Sequence, residues 1–193
     1  MTFTSARLTA LAVPAGLVLA GCGSSHITAG TVSPARTSTP SPSAASLQAA
    51  LTASDIVNSG FFSQRSDSLL GGLANTDARV FANADSTMVV EVDLVSDTGA
   101  TGPASDYPPY QSAAAMQAGT QPATSSPGLG QQSNEFVGTN AAGKNVVAIS
   151  FIEGSYIVVV TTVGNSTATT DVVKTSAESI ALAQDNKINS IGG

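Results

Sequence analysis

The sequence predicts an α+β domain, with an antiparallel sheet of about five strands and helices packed on one of its faces. Three observations carry this reading. Runs rich in β-branched residues, bounded by turn residues, recur through the second half; the strongest is 156–163, with Ile157, Val158, Val159 and Val160 in succession. The strand runs pair across short turns, 78–83 with 87–96 and 133–139 with 145–152. Helical patterns fall between and after these pairs rather than alternating with single strands, which is the layout of an antiparallel sheet with segregated helices.

Taken in order, Leu47, Ala50, Leu51 and Ser54 have helical spacing, so 46–57 is expected to be a short helix stopped by Asn58-Ser59-Gly60. Phe61 and Phe62 follow as an apolar pair suited to plug that helix onto a sheet, and Gly71-Gly72 is a turn. Residues 78–83 and 87–96 read as strands around Ala84-Asp85-Ser86. The second strand alternates, with Val90, Val92 and Leu94 on one face and Val89, Glu91, Asp93 and Val95 on the other. Prolines and glycines at Gly99, Gly102, Pro103, Pro108 and Pro109 predict a loop over 97–109, then a short Ala-rich helix over 110–118. The stretch 119–130 holds Pro122, Pro127 and three glycines and reads as a flexible link.

Strands over 133–139 and 145–152 are joined by 140–144, and Glu153-Gly154-Ser155 turns the chain back into 156–163, a central strand covered on both faces or nearly so. Gly164-Asn165-Ser166 ends it. The last helix, 169–187, has an inward stripe of Val173, Ala177, Ile180, Ala181 and Gln184, with Thr169 or Thr170 as cap and Asp171 near its positive end. The order strand, turn, strand, helix occurs twice, with one further strand in the second copy. This suggests a duplicated unit.

Composition narrows the function. The 193 residues carry seven Lys+Arg against thirteen Asp+Glu, a net charge of −6, with one Cys, one His and no Trp. An acidic chain of this kind lacks the basic footprint for nucleic acid. A single Cys makes neither an internal disulfide nor a cysteine zinc site, and a single His excludes motifs that need two.

The N-terminus reads as an address. Arg7 is the only charge before Cys22, and the mostly apolar run 8–20 is 13 residues long. A spanning helix needs about 20 residues, so this run fits a signal-peptide core instead. It ends Leu19-Ala20-Gly21-Cys22. This segment resembles the lipobox of bacterial lipoproteins. The resemblance implies cleavage between Gly21 and Cys22 and a diacylglycerol on the Cys22 thiol. The implied organisation is a signal peptide over 1–21, a lipidated N-terminus and tether over 22–46, and one α+β domain over 47–193. Twelve of the 19 residues in 28–46 are Ser, Thr or Pro, a composition that predicts an extended, disordered spacer, with O-glycosylation an equal alternative to a plain linker. His26, at its start, reads as solvated.

Catalytic constellations are sparse. A Ser–His triad would have to use a histidine in the tether, and no Gly-x-Ser-x-Gly or Ser-x-x-Lys occurs. Gly128-Leu129-Gly130 precedes a strand, whereas a dinucleotide loop follows one. Glu91 and Asp93, two apart on a strand, point the same way about 7 Å apart, with Asp97 beyond them. That spacing suits an acid–base pair or a hard cation, but alternation of this kind ordinarily marks a solvated outer face of the sheet. Tyr107-Pro108-Pro109-Tyr110 is either a recognition patch or a rigid turn leading into a helix. No metal site and no cofactor is expected.

The lipobox, the Ser/Thr/Pro tether and the abundance of small residues together resemble the small exported lipoproteins of actinobacteria, including mycobacteria, some of which bind lipids or glycolipids in an α+β fold. The expectation is a non-catalytic lipoprotein, lipid-anchored at the extracytoplasmic face of the cell membrane, that binds a lipid, a glycolipid or an envelope protein. Candidate pocket residues between sheet and helices are Phe61, Phe62, Val90, Val92, Phe151 and Ile180, although a closed core would use the same side chains. The alternatives are an accessory envelope module without a pocket, and a hydrolase built on Glu91 and Asp93.

Overall fold

The computed structural model describes residues 44–56, 63–65, 76–96, 99–119, 123 and 125–192. All of them fall within one compact unit, Ser38–Gly193. Cys22, Gly21, Phe61, Phe62, Asp97, His26 and the tether over 28–43 lie outside the described residues.

The elements are α1 (Ala44–Ala49), a 3-10 turn (Ala53–Asp55), β1 (Ser63–Arg65), β2 (Asp77–Ala82), β3 (Met88–Val95), α2 (Pro103–Ala118), β4 (Gln132–Thr139), β5 (Asn145–Glu153), β6 (Tyr156–Gly164) and α3 (Thr170–Ser190). The six strands form one sheet in the order β1-β2-β3-β6-β5-β4, antiparallel at every pairing. The chain is therefore α+β, as expected, and the short β1 is the strand that composition did not mark.

The sheet is two three-stranded meanders joined along β3 and β6, with Val92 opposite Val160 at the middle of the seam. The strands thus repeat, but the helices do not follow. Both α2 and α3 pack on the second meander, from opposite sides. Val147 and Ile149 of β5 join Val158 and Val160 of β6 and Val173, Ala177 and Ile180 of α3 in the larger apolar cluster. Val146 and Ala148, one residue out of phase, join Val159 and the alanines 114, 115 and 118 of α2 in another. Side chains alternate between the faces of a strand, so the helices cover both faces of the sheet instead of the expected one. This is why β5 and β6 are buried along almost their whole length.

Double coverage also changes the reading of β3. Glu91 is 0 % exposed and Asp93 1 %, so neither lies on a solvated face. Thr76 donates its hydroxyl to Asp93 Oδ1 at 3.1 Å, and neither carboxylate is unpartnered.

Two helix boundaries differ from expectation. α2 begins at Pro103, inside the expected loop, and contains Pro108 and Pro109. Proline removes the N–H that would bond the carbonyl four residues back. Those carbonyls belong to Ala104 and Ser105, which are exposed, so water can take the missing bonds. Gly102 supplies a positive φ of 83° at the entry, and the Asp106 carboxylate accepts the Gly99 N–H at 2.6 Å. α1 ends at Ala49, well short of residue 57. There the backbone leaves the helix and is captured by α3: Leu51 N–H donates to Gln184 Oε1 at 3.2 Å, and Gln184 Nε2 donates to the Ala49 carbonyl at 2.7 Å.

Candidate functional site

The residues expected to line an apolar pocket come together, but as a core. Val90, Phe151 and Ile180 are 0 % exposed and Val92 1 %, all within the cluster between the sheet and α3. Interiors packed in this way leave little room for a lipid chain. Glu91 and Asp93 lie on the opposite face of the sheet, by the alternation of β3. Glu153, on β5 in phase with Phe151 and Ile149, belongs to the α3 face, so it does not join Glu91 and Asp93. Among the described residues no group of three His, Cys, Asp or Glu side chains is placed to hold a metal ion.

A concavity of about 190 Å³ lies at the end of the sheet where three turns converge. The β2–β3 turn contributes Ser86 and Thr87, the β4–β5 turn Asn140, Ala142 and Lys144, and the β6–α3 turn Gly164 and Asn165. Val89 and Val163, register partners on neighbouring strands, also line it. Each turn is internally braced by an asparagine. Asn83 Oδ1 accepts Met88 N–H at 2.9 Å, while its Nδ2 donates to Thr87 Oγ1 at 2.8 Å. Asn140 Oδ1 accepts the N–H groups of Ala142 and Lys144, and Asn165 Oδ1 accepts those of Thr167 and Ala168. Such side-chain turns are what Asn and Asp do where the chain reverses.

The turns are also tied to each other. Asn165 N–H donates to the Thr87 carbonyl at 2.8 Å, and Asn145 Nδ2 donates to the Ala168 carbonyl at 2.9 Å. Gly164 is required for this closeness, because a Cβ there would lie 2.6 Å from Val173 Cγ2 and 2.8 Å from Ala168 Cβ. Ser86 holds a φ of 55°, the one positive value at a non-glycine among the described residues. Positive φ at a non-glycine stores local strain. The sequence marked these segments as turns; that they meet could not be read without the strand order.

At the far end of β5 two carboxyls face each other. Burial, then the neighbouring Asp185 charge and hydrogen bond, raise the Glu153 carboxyl above its ordinary range. Burial raises that of Asp185 as well, against the hydrogen bonds it accepts from Glu153 and the Gly130 N–H.

Two further polar sites hold helices to the sheet. The Tyr107 hydroxyl donates to the Ser150 carbonyl at 2.9 Å, lies 2.8 Å from Ser150 Oγ and accepts from Asn134 Nδ2 at 3.0 Å. Burial raises the titration of this phenol, while the hydrogen bonds from Ser150 and Asn134 pull the other way. The tyrosine of the Tyr-Pro-Pro-Tyr motif is thus a buried latch between α2 and the sheet. Glu135, 1 % exposed, is bonded by Lys174 of α3 and by Ser125 Oγ at 2.6 Å.

No model of a known protein family, no characterised protein and no solved structure shows a significant match to this chain.

Proposed function

We propose that the chain is a non-catalytic envelope module, anchored by lipid on Cys22 at the extracytoplasmic face of the membrane, that recognises its partner through its surface. The observation that carries this reading is the closed packing of Val90, Val92, Phe151 and Ile180 between the sheet and α3. A lipid carrier needs a cavity of several hundred Å³ lined by such residues. The concavity at the turn end holds about 190 Å³ and is rimmed by polar groups. This favours the accessory, protein-binding form of the expectation over the carrier. The Leu19-Ala20-Gly21-Cys22 segment supports the anchor, since two acyl chains on one residue give stable attachment where one gives marginal binding.

Two measurements test this reading. Replacing Cys22 with Ser is expected to move the protein from the membrane pellet to the soluble fraction with an unchanged circular dichroism spectrum. Persistence in the pellet would overturn the anchor. Native mass spectrometry of the Cys22→Ser chain, purified from the soluble fraction of the cells that make it, is expected to show no lipid or glycolipid held by the domain. A lipid mass released on denaturation would restore the carrier.

A further inference from the structure

We infer that the concavity at the turn end of the sheet is an oxyanion site that takes a phosphate group. The argument is an account of donors and acceptors. Most of the acceptors around the rim are already used within the protein. Asn140 Oδ1 and Asn165 Oδ1 each accept backbone N–H groups of their own turns. The carbonyl of Thr87 accepts Asn165 N–H, that of Asn140 accepts Gly143 N–H, that of Lys144 accepts Asn140 N–H, and that of Asn165 accepts Ala168 N–H. The Thr87 hydroxyl accepts Asn83 Nδ2 and gives its own proton to Asp85.

Among the side chains of the rim, the polar groups left unengaged are mostly donors: the Lys144 ammonium, the Nδ2 groups of Asn140 and Asn165, and the Ser86 hydroxyl, which can donate or accept. Lys144 is one of three lysines in a chain of net charge −6, and the other two, Lys174 and Lys187, are held by Glu135 and Asp55. A rim whose amide side-chain oxygens are used within the protein while its amide N–H groups and a cation stay free favours an acceptor-rich anion. Donors supplied from three turns suit oxygens disposed in several directions, as on phosphate, better than the two in-plane oxygens of a carboxylate. Val89 and Val163 add an apolar wall that can meet the short carbon chain of a phosphate ester. A volume of about 190 Å³ admits a phosphate with a small substituent and is too small to enclose a long acyl chain. The nearest carboxylate on these turns, Asp85, is turned to the N–H and hydroxyl of Thr87 and does not line the cavity.

The phosphate could be free or part of a lipid headgroup, and the test separates the two. The full chain carrying Cys22→Ser is labelled with nitrogen-15 and titrated with inorganic phosphate, against chloride at equal ionic strength. It is titrated separately with short-chain phosphatidylglycerol below its micelle concentration. Amide shifts confined to residues 86–89, 140–144 and 163–168 are expected. Lys144→Ala, at an exposed position, is expected to weaken the response about tenfold or more while the rest of the spectrum stays in place, and Lys144→Arg to keep most of it. Tighter binding of the lipid probe assigns the headgroup, and tighter binding of inorganic phosphate assigns the free ion. Shifts no different from those under chloride, or a response that survives Lys144→Ala unchanged, would overturn the site.

Discussion

An aliphatic side chain would suit the inward stripe of α3 by burial alone, yet the fully buried position 184 holds a glutamine whose two ends bond the Leu51 N–H and the Ala49 carbonyl. Gln184→Leu keeps the volume roughly and removes both bonds, which leaves two buried backbone groups to satisfy. Each such orphan costs about 1–3 kcal/mol, so urea unfolding is expected to show a lower midpoint with little change of slope. A variant as stable as the parent would mean that the 49–51 segment is not held by this side chain. The Glu153–Asp185 pair makes a pH-dependent contribution of definite sign. A carboxyl raised in the folded state holds its proton more tightly folded than unfolded. The fold is therefore favoured at low pH, and stability is lost as pH rises through the interval between the unfolded and folded titrations. Asp185→Asn removes one charge and offers Glu153 a donor. The difference in unfolding free energy between variant and parent is expected to grow in the variant's favour from acid to neutral pH. Asp55 works in the opposite direction: burial opposes its ionisation, but hydrogen bonds from Thr52 and the Lys187 ammonium outweigh it and lower its titration. Only the difference between variant and parent isolates the carboxyl pair, and a flat difference would show the two groups to be uncoupled.

At the scale of elements, legibility followed the strength of local patterning. β6 and α3 are readable because an unbroken β-branched run and an inward stripe from Val173 to Gln184 leave few alternatives, and Thr169 caps α3, accepting Val172 N–H at 3.4 Å. Local spacing overextends α1, because its end is set by Gln184, 135 residues away from Ala49, and the spacing holds no trace of that bond. Local patterning shortens α2, because Pro108 and Pro109 are strong local breakers, overruled in the fold by solvent access to the freed carbonyls and by the Tyr107 latch. The outer face of β3 departs from its pattern for a related reason: alternation reports which residues share a face, not whether another layer covers that face. Tyr107→Phe tests the latch. It strips the bonds from Ser150 and Asn134 while keeping the ring in its apolar contacts with Val95, Ile152 and Ile157. A loss of about 1–3 kcal/mol is expected, with faster amide exchange along α2 than in the parent and little change in β3 or β6. Uniformly faster exchange would mean that the hydroxyl supports the whole sheet rather than the helix.

At the scale of the molecule, the strand order decides how the parts depend on one another. The meander β1-β2-β3 meets the meander β4-β5-β6 at one seam, which alone would make a weak joint between two separable halves. The larger apolar cluster removes that option, because it runs from Phe81 on β2 through Val90, Val92 and Leu94 on β3 to Ile149, Phe151, Val158 and Val160, and is closed by α3. Unfolding either meander would expose the other's half of that cluster, at roughly 25 cal/mol for each Å² of apolar surface. The two halves are therefore expected to unfold together, in a single transition that coincides by far-UV circular dichroism and by tyrosine fluorescence. A seam substitution, Val160→Ala, opens a cavity between β3, β5 and α3 and is expected to move that one transition down without splitting it. Residues of β3 and β6 near the seam should have the slowest amide exchange in the parent, close to the global limit. Two resolved transitions, or slow exchange confined to the second meander, would show that α3 and the seam stabilise only the half of the sheet on which both helices sit.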